Sequence, residues 1–115
     1  MDFLKHLAEN IGLHDAGILQ VNWDAIHDEV NLVIDDLWSN YVGLPEYKGP
    51  LLGTIKLLGV RCVSIDFTKT LRLDIINVDV EETSYDTLRC IITLNGNGRI
   101  IVEYKESKCP VLSFD

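Results

Sequence analysis

Apolar residues recur with a helical spacing only at the start of the chain. They are Phe3, Leu4, Leu7 and Ile11. Asp2 precedes this group and Gly12 follows it, in the positions that acidic residues and glycine favour at the two ends of a helix. The spacing therefore predicts one short helix over residues 2–12.

From residue 17 onward the pattern is typical of extended strands. The apolar-rich runs cover residues 17–23, 29–37, 54–58, 60–67, 71–82, 87–94 and 99–105. The last two flank Asn95-Gly96-Asn97-Gly98, and an Asn-Gly turn between apolar runs strongly favours a β-hairpin. In the long run 71–82 the apolar phase changes between Ile75 and Ile76, which predicts a β-bulge. We expect a further short edge strand over residues 111–114.

These elements predict an α+β fold that is mainly β, with an N-terminal helix followed by an antiparallel sheet of about seven strands. Short turns between successive strands favour a meander. The composition agrees, since 22 Ile and Val residues stand against three Ala, and β-branched residues favour sheets. A length of 115 residues predicts a single domain spanning residues 1–115.

Ten basic against eighteen acidic residues give a net charge of -8. Such a surface repels phosphate groups and anionic lipid, so we expect no binding to nucleic acid or to a membrane. The first residues do not show the basic and then apolar pattern of a signal peptide, and no apolar run is long enough to span a membrane. Cys62, Cys90 and Cys109 are widely spaced, and Cys62 and Cys90 fall in apolar strand patterns as core positions. These features predict a cytoplasmic protein with free cysteines.

Candidate catalytic chemistry is sparse. His14-Asp15 invites a metal interpretation, but only His6 and His27 add imidazoles, and neighbouring residues of a strand point to opposite faces. Either side chain is better explained as a partner for backbone groups where the helix gives way to the first strand. No serine lies in a G-x-S-x-G elbow, and the Asn95–Gly98 glycines serve a turn. We expect no enzyme activity, no metal and no cofactor.

Acidic and aromatic side chains are the more informative groups. One acidic group surrounds the first hairpin, another follows the long strand, and the loop 38–50 carries Trp38 with further aromatic residues. We predict partner-binding residues among them: Asp24, Asp28, Glu29, Tyr41, Glu46, Tyr47, Asp79, Glu81, Glu82 and Asp86. Acidic patches select basic partners and accelerate association, and aromatic residues anchor interfaces. The alternatives are a solvated acidic face and, for Trp38, packing beneath its own loop.

The run Leu13-His14-Asp15-Ala16-Gly17-Ile18 and the step Leu57-Leu58-Gly59-Val60 resemble segments of small β-rich bacterial immunity proteins. These belong to polymorphic toxin and contact-dependent growth inhibition systems, and the resemblance covers residues 13–80. It implies a cytoplasmic protein, not an enzyme, that binds a cognate toxin domain and blocks it. Such toxins are frequently basic nucleases, to which a protein of charge -8 is an electrostatic counterpart.

The sequence thus favours a toxin-neutralising immunity protein that occludes its target. A structural or scaffold subunit that self-associates through an exposed strand edge, with residues 111–114 as the candidate edge, is the first alternative. The other is a small enzyme or a ligand- or metal-binding domain that uses His14, Asp15 and nearby carboxylates.

Overall fold

The computed structural model describes residues 2–10, 12–37, 49–68, 72–84 and 86–110. Within these ranges, one helix precedes eight strands. They are α1 (Phe3–Asn10), β1 (Gly17–Asp24), β2 (Glu29–Ile34), β3 (Gly53–Leu58), β4 (Cys62–Asp66), β5 (Leu73–Ser84), β6 (Thr87–Leu94), β7 (Arg99–Tyr104) and β8 (Glu106–Lys108). All strand pairs are antiparallel. The predicted fold class is confirmed, with one strand more than the expected seven.

The strand order β4-β7-β6-β5-β1-β2-β3-β8 is not the meander expected from the sequence. Strands β1 to β3 and β5 to β7 each form a three-stranded meander. The two meanders join where Gly17 and Ile18 of β1 pair with Asp74 and Leu73 of β5. The expectation failed because alternation of apolar residues specifies which face of a strand is buried, and it leaves the partner strand open.

The two ends of this strand order meet in space. β8 and β7 lie at or near opposite ends of the order, yet Lys105 alone connects them in the chain. The Lys105 N–H donates to the Leu58 carbonyl oxygen at 2.8 Å, and the Arg61 N–H donates to the Glu103 carbonyl oxygen at 3.0 Å. The ladder formed by β3 and β8 therefore continues end to end into the ladder formed by β4 and β7, and the sheet is curled.

The concave side of the curled sheet holds one contiguous hydrophobic core. Alternate residues of β2, β3, β6 and β7 point into it, and α1 adds Leu4 and Leu7, which are fully buried. Burial of each such Leu stabilises the fold by about 1.5–3 kcal/mol. The helix packs against β5 and β8, so it closes the core beside the last short strand.

Local turn chemistry follows the sequence closely. The register between β5 and β6 shifts between Ile75 and Asn77, which confirms the predicted bulge. Gly96 and Asn97 adopt φ angles of 69° and 64° in the turn between β6 and β7, a conformation that glycine and asparagine tolerate. Gly12 ends the helix with φ of 84°, as expected for a C-terminal glycine.

β8 lies in a charged stretch, Glu106-Ser107-Lys108, which carries no apolar alternation, and the sequence therefore gave no sign of it. The edge strand expected over residues 111–114 lies outside the described residues. None of the helices in the described ranges is long and apolar enough to cross a membrane.

Candidate functional site at the first hairpin

The β1–β2 connection forms a tightly ordered turn, and we refer to residues Trp23–Glu29 as the hairpin tip. Asp24 organises it. Its Oδ1 accepts hydrogen bonds from the backbone N–H groups of Ile26 and His27, both at 3.1 Å. Its Oδ2 lies 2.6 Å from Nδ1 of His27. Asp28 completes the turn with φ of 51°, a region that aspartate enters more readily than most residues.

The Asp24–His27 contact is an ion pair when the imidazole is protonated. The hydrogen bond to the carboxylate raises the pKa of His27 above its ordinary value of 6.5. The same bond, with the backbone N–H of His27, lowers the pKa of Asp24 below 3.8. Each charge favours the ionised form of the other, so the turn is most stable at pH values at which both side chains are ionised.

Two large apolar side chains are exposed at the hairpin tip. Ile26 at the apex is 90% exposed and Trp23 is 60% exposed. Trp23 pairs with buried Val30 and so points to the core-facing side of the hairpin, but it lies beyond the two residues of β1 that pair with β5. Exposed tryptophan and isoleucine contribute to binding when a partner covers them.

The structure brings three predicted partner-binding residues together here. Asp24 pairs with Glu29 across the hairpin, on the face opposite Trp23, and Asp28 lies between them in the turn. Glu29 Oε1 is 3.6 Å from Lys56 Nζ. The same row of the sheet continues through Leu58 of β3 to Glu106 of β8. Glu106 therefore extends this acidic face, although the sequence did not single it out.

The second predicted acidic group is divided between two faces of the sheet. Asp79 accepts a hydrogen bond from Asn77 Nδ2 at 2.9 Å. Glu81 accepts one at 3.0 Å from Arg89. Glu82 points to the other face, where its Oε1 lies 3.1 Å from Nζ of Lys5 on α1.

Glu82 and Asp86 line an open groove of about 630 Å³ beside the helix. Its other charged lining residues are Asp2, Lys5, Glu9, Lys105 and Glu106. The lining holds five acidic groups and two lysines, one of which is engaged by Glu82. Asp79 and Glu81 thus do not share a surface with Glu82 and Asp86.

Other acidic residues near the first hairpin serve the fold. Asp35 Oδ1 accepts a hydrogen bond from the Gly17 N–H at 2.7 Å, and its Oδ2 lies 3.0 Å from Arg72. Asp36 Oδ1 accepts one from the Leu51 N–H at 3.1 Å. The loop residues predicted to bind a partner lie outside the described residues, namely Tyr41, Glu46 and Tyr47 together with Trp38.

His14 and Asp15 lie in the turn before β1, with their side chains 3.3 Å apart. His14 Nδ1 is 3.2 Å from the Ile76 carbonyl oxygen, and the Asp15 N–H donates to the Ile75 carbonyl oxygen at 3.0 Å. Both residues therefore secure the start of β1 against β5. In the described part of the chain, no three His, Cys, Asp or Glu side chains are grouped to hold a metal ion.

Cys62, Cys90 and Cys109 form no disulfide, and one expectation about their burial is wrong. Cys90 and Cys109 are buried, but Cys62 is exposed. Cys62 pairs with Glu103 across β4 and β7, on the face away from Val63. Its apolar sequence context was misleading because β4 is an edge strand, and the alternation places Cys62 on the outer face.

Trp23 and Ile26 were not among the binding residues predicted from the sequence. A signal for Ile26 was present, since it is the apolar residue of an otherwise short and polar turn sequence, Asp24-Ala25-Ile26-His27-Asp28. The apex of a hairpin has no core beneath it, so Ile26 had to be exposed. Trp23 gave no such signal, because its exposure depends on how far β1 pairs with β5.

Comparison with known proteins adds information on the fold only. No protein-family model matches the sequence, and no curated protein matches it. The structure is similar to the crystal structure of an uncharacterized protein from Neisseria gonorrhoeae, with a TM-score of 0.59 and 13% sequence identity. The alignment covers 86% of this chain and 93% of that chain. The two proteins therefore share a fold over most of their length.

Proposed function

We propose that this protein is a cytoplasmic immunity protein that binds a basic, nuclease-type toxin domain and occludes its substrate-binding surface. The observation that carries the proposal is the hairpin tip. It presents Ile26 at the apex, Trp23 on one face, and Asp24 with Glu29 on the other, and Asp28 lies in the turn between them. Apolar anchors that project from an acidic turn suit a basic surface that contains an apolar depression.

The mechanism is steric and electrostatic. A nuclease must attract phosphate groups, so its active-site cleft is positively charged. The carboxylates of the hairpin tip take the place of substrate phosphates in that cleft, and Ile26 enters with them at the apex. Because Asp24 orders the turn before binding, little conformational entropy is lost on association.

Affinity capture from lysate of the source organism, followed by identification and a nuclease assay of the bound protein, tests the proposal. We expect the wild-type protein to retain one basic protein stoichiometrically, and to inhibit its nuclease activity. Capture of no basic protein, or of one whose activity is unaffected by binding, would contradict the immunity function.

Matched variants test the surface separately. Trp23→Ala with Ile26→Ser removes the apolar anchors, and Leu52→Ser with Ile76→Ser removes two exposed apolar side chains elsewhere. We expect the first pair to weaken binding at least about 100-fold, as is typical when interface anchors are truncated. The second pair should bind as the wild type does. Equal binding by both pairs would show that the partner docks on another surface.

The acidic residues are tested by salt dependence. Asp28→Asn with Glu29→Gln should reduce the association rate and flatten its dependence on ionic strength, because fewer charges steer the encounter. Glu9→Gln with Asp66→Asn, which removes two exposed charges outside the hairpin tip, serves as the control. An unchanged salt dependence in the first pair would exclude the hairpin tip as the electrostatic contact.

A further inference from the structure

Among the described strands, the outer edge of β4 pairs with no other strand, and Asp66 is the one charged residue of β4. In the described strand order β4 is terminal and pairs with β7 alone. Its register with β7 runs through all five residues, Cys62–Asp66, without a bulge. The strand contains neither proline nor lysine, the residues that commonly block edge pairing. The edge at the other end of the order, β8, has three residues, including Glu106 and Lys108.

The core-facing side of β4 is incompletely covered. Val63 and Ile65 pair with buried Val102 and Ile100 of β7 and share their side of the sheet. Even so, Ile65 remains 46% exposed, because no described strand lies beyond it. A further strand beside β4 would cover Ile65 and satisfy the outward-facing backbone groups of this edge.

We propose that this edge pairs with the same edge of a second copy of the chain, in an antiparallel arrangement centred on Ser64. The inference is independent of the proposed immunity function. In this register Val63 lies opposite Ile65 of the second copy, twice by symmetry, and extends the apolar side of both sheets. Cys62 lies opposite Asp66 of the second copy on the outer face. Arg61, which precedes Cys62, pairs with Glu103 of its own chain, with Nε 3.7 Å from Oε2.

The sequence of β4 suits pairing with a second copy, because its core-facing and outward-facing residues alternate symmetrically about Ser64. Around Ser64 the core-facing residues Val63 and Ile65 are placed symmetrically, and so are the outward-facing residues Cys62 and Asp66. An antiparallel two-fold pairing centred on Ser64 therefore matches Val63 with Ile65 on the core-facing side. It also keeps the core-facing sides of the two sheets continuous, as an isologous interface requires.

Sedimentation equilibrium of the purified protein measures the association. We expect the mass to rise from 13.0 kDa toward twice that value between low micromolar and submillimolar concentration. Ile65→Lys should weaken association about tenfold or more, because it removes both apolar pairs and adds a charge to the edge. Ile76→Lys is the matched control, since Ile76 is also about half exposed but lies on β5, and it should associate as the wild type does.

Disulfide trapping tests the register and does not depend on the stability of the lysine variants. In the Cys62→Ser background, Ser64→Cys places two thiols opposite each other at a Cα separation of about 4.5–5.5 Å, within the range of a disulfide. Oxidation should give a covalent dimer. The wild-type Cys62 thiols are four positions out of register, about 13 Å apart, and should not crosslink. Thr68→Cys in the same background should not crosslink either.

A wild-type protein that stays monomeric throughout, with no dimer from Ser64→Cys, would overturn the proposal. Crosslinking through Cys62 or through Thr68→Cys as efficient as that through Ser64→Cys would overturn the register. Association that is unaffected by Ile65→Lys but lost in Ile76→Lys would overturn the choice of edge. Toxin binding is measured separately, with the hairpin-tip variants.

Discussion

The hydroxyl of Tyr104 donates a hydrogen bond to Asp2 Oδ2 at 2.8 Å. This hydrogen bond joins Asp2, the residue before the helix, to Tyr104, the last residue of β7. The same Asp2 oxygen accepts from the Lys5 N–H at 3.1 Å, and Oδ1 accepts from the Ser107 N–H at 2.6 Å. Asp2 is thus both the N-terminal cap of α1 and its link to the last two strands. Burial and the nearby carboxylate raise the pKa of Tyr104, so the hydroxyl keeps its proton.

Removal of the Asp2 carboxylate is expected to destabilise the fold substantially. Asp2→Ala eliminates the cap and leaves the buried Tyr104 hydroxyl without its acceptor, which should lower the free energy of unfolding by about 3 kcal/mol. Tyr104→Phe should cost about 1 kcal/mol in the wild type and less when Asp2→Ala is also present. Urea denaturation of the double-mutant cycle measures this coupling. Additive losses would show that the two residues act independently, and Asp66→Ala is the exposed control.

Gly59 occupies the point at which the chain passes from β3 to β4, with φ of 66°. A Cβ added there would lie 2.9 Å from Cβ of Lys105. Gly59→Ala is therefore expected to be strained both by the positive φ and by this close contact. Gly96→Ala is the matched comparison, since Gly96 has φ of 69° but nothing within 4 Å of the added Cβ. Thermal or urea unfolding should show a loss of about 1–2 kcal/mol for Gly96→Ala, from the left-handed backbone. Gly59→Ala should lose about 1 kcal/mol more, from the crowded contact. Equal losses would mean that Lys105 moves away freely.

Thiol labelling of the native protein should distinguish the cysteines by their burial. Burial raises the pKa of Cys90 to about 12, and the thiolate is the reactive form. At pH 8 we expect Cys62 to react rapidly and Cys90 and Cys109 to react only after unfolding. Cys62→Ser should abolish the rapid phase. A rapid phase that persists in this variant would contradict the exposed placement of Cys62.

Titration of His27 reports the order of the hairpin tip. Its pKa is raised in the folded state, so the Asp24–His27 pair stabilises the turn below pH 6.5 and loses that effect as pH rises through the raised value. The pKa of Asp24 is lowered, so the contribution of its ionised form is present above pH 3.8 and is lost as pH falls through the lowered value. NMR of the imidazole should give a His27 pKa above 6.5 in the wild type and a lower one in Asp24→Asn. Asp28→Asn is the control, and a His27 pKa that does not respond to Asp24→Asn would contradict the contact.

The features that the sequence predicted correctly are those set by neighbouring residues. Helix α1, the turn at Asn95-Gly96 and the bulge after Ile75 each depend on side chains within a few positions of one another. The strand order depends on contacts that no local pattern contains, such as β1 beside β5. For the same reason the hydrophobic pattern identified Cys90 as a core residue correctly and Cys62 wrongly. Both lie in apolar runs, but Cys90 points into the core, whereas Cys62 points to the outer face of an edge strand.

The candidate site was predictable in part. The charges at Asp24, Asp28 and Glu29 are adjacent in sequence, so their clustering in one hairpin follows from the turn alone. The separation of Glu81 from Glu82 follows from strand alternation, but only once the register of β5 is known. The exposure of Trp23 required the full topology, because it depends on where β1 ceases to pair with β5.

The passage from β7 through Lys105 into β8 also constrains when the chain can fold. In the described strand order, Glu106–Lys108 supplies the second neighbour of β3, and Ser107 Oγ accepts a hydrogen bond from the Leu4 N–H of the helix at 2.8 Å. A chain that ends before residue 106 therefore leaves one edge of β3 and the Leu4 N–H of the helix without these partners. Such distant contacts form slowly. A chain truncated before Glu106 would lack these contacts and would therefore be more open to proteases.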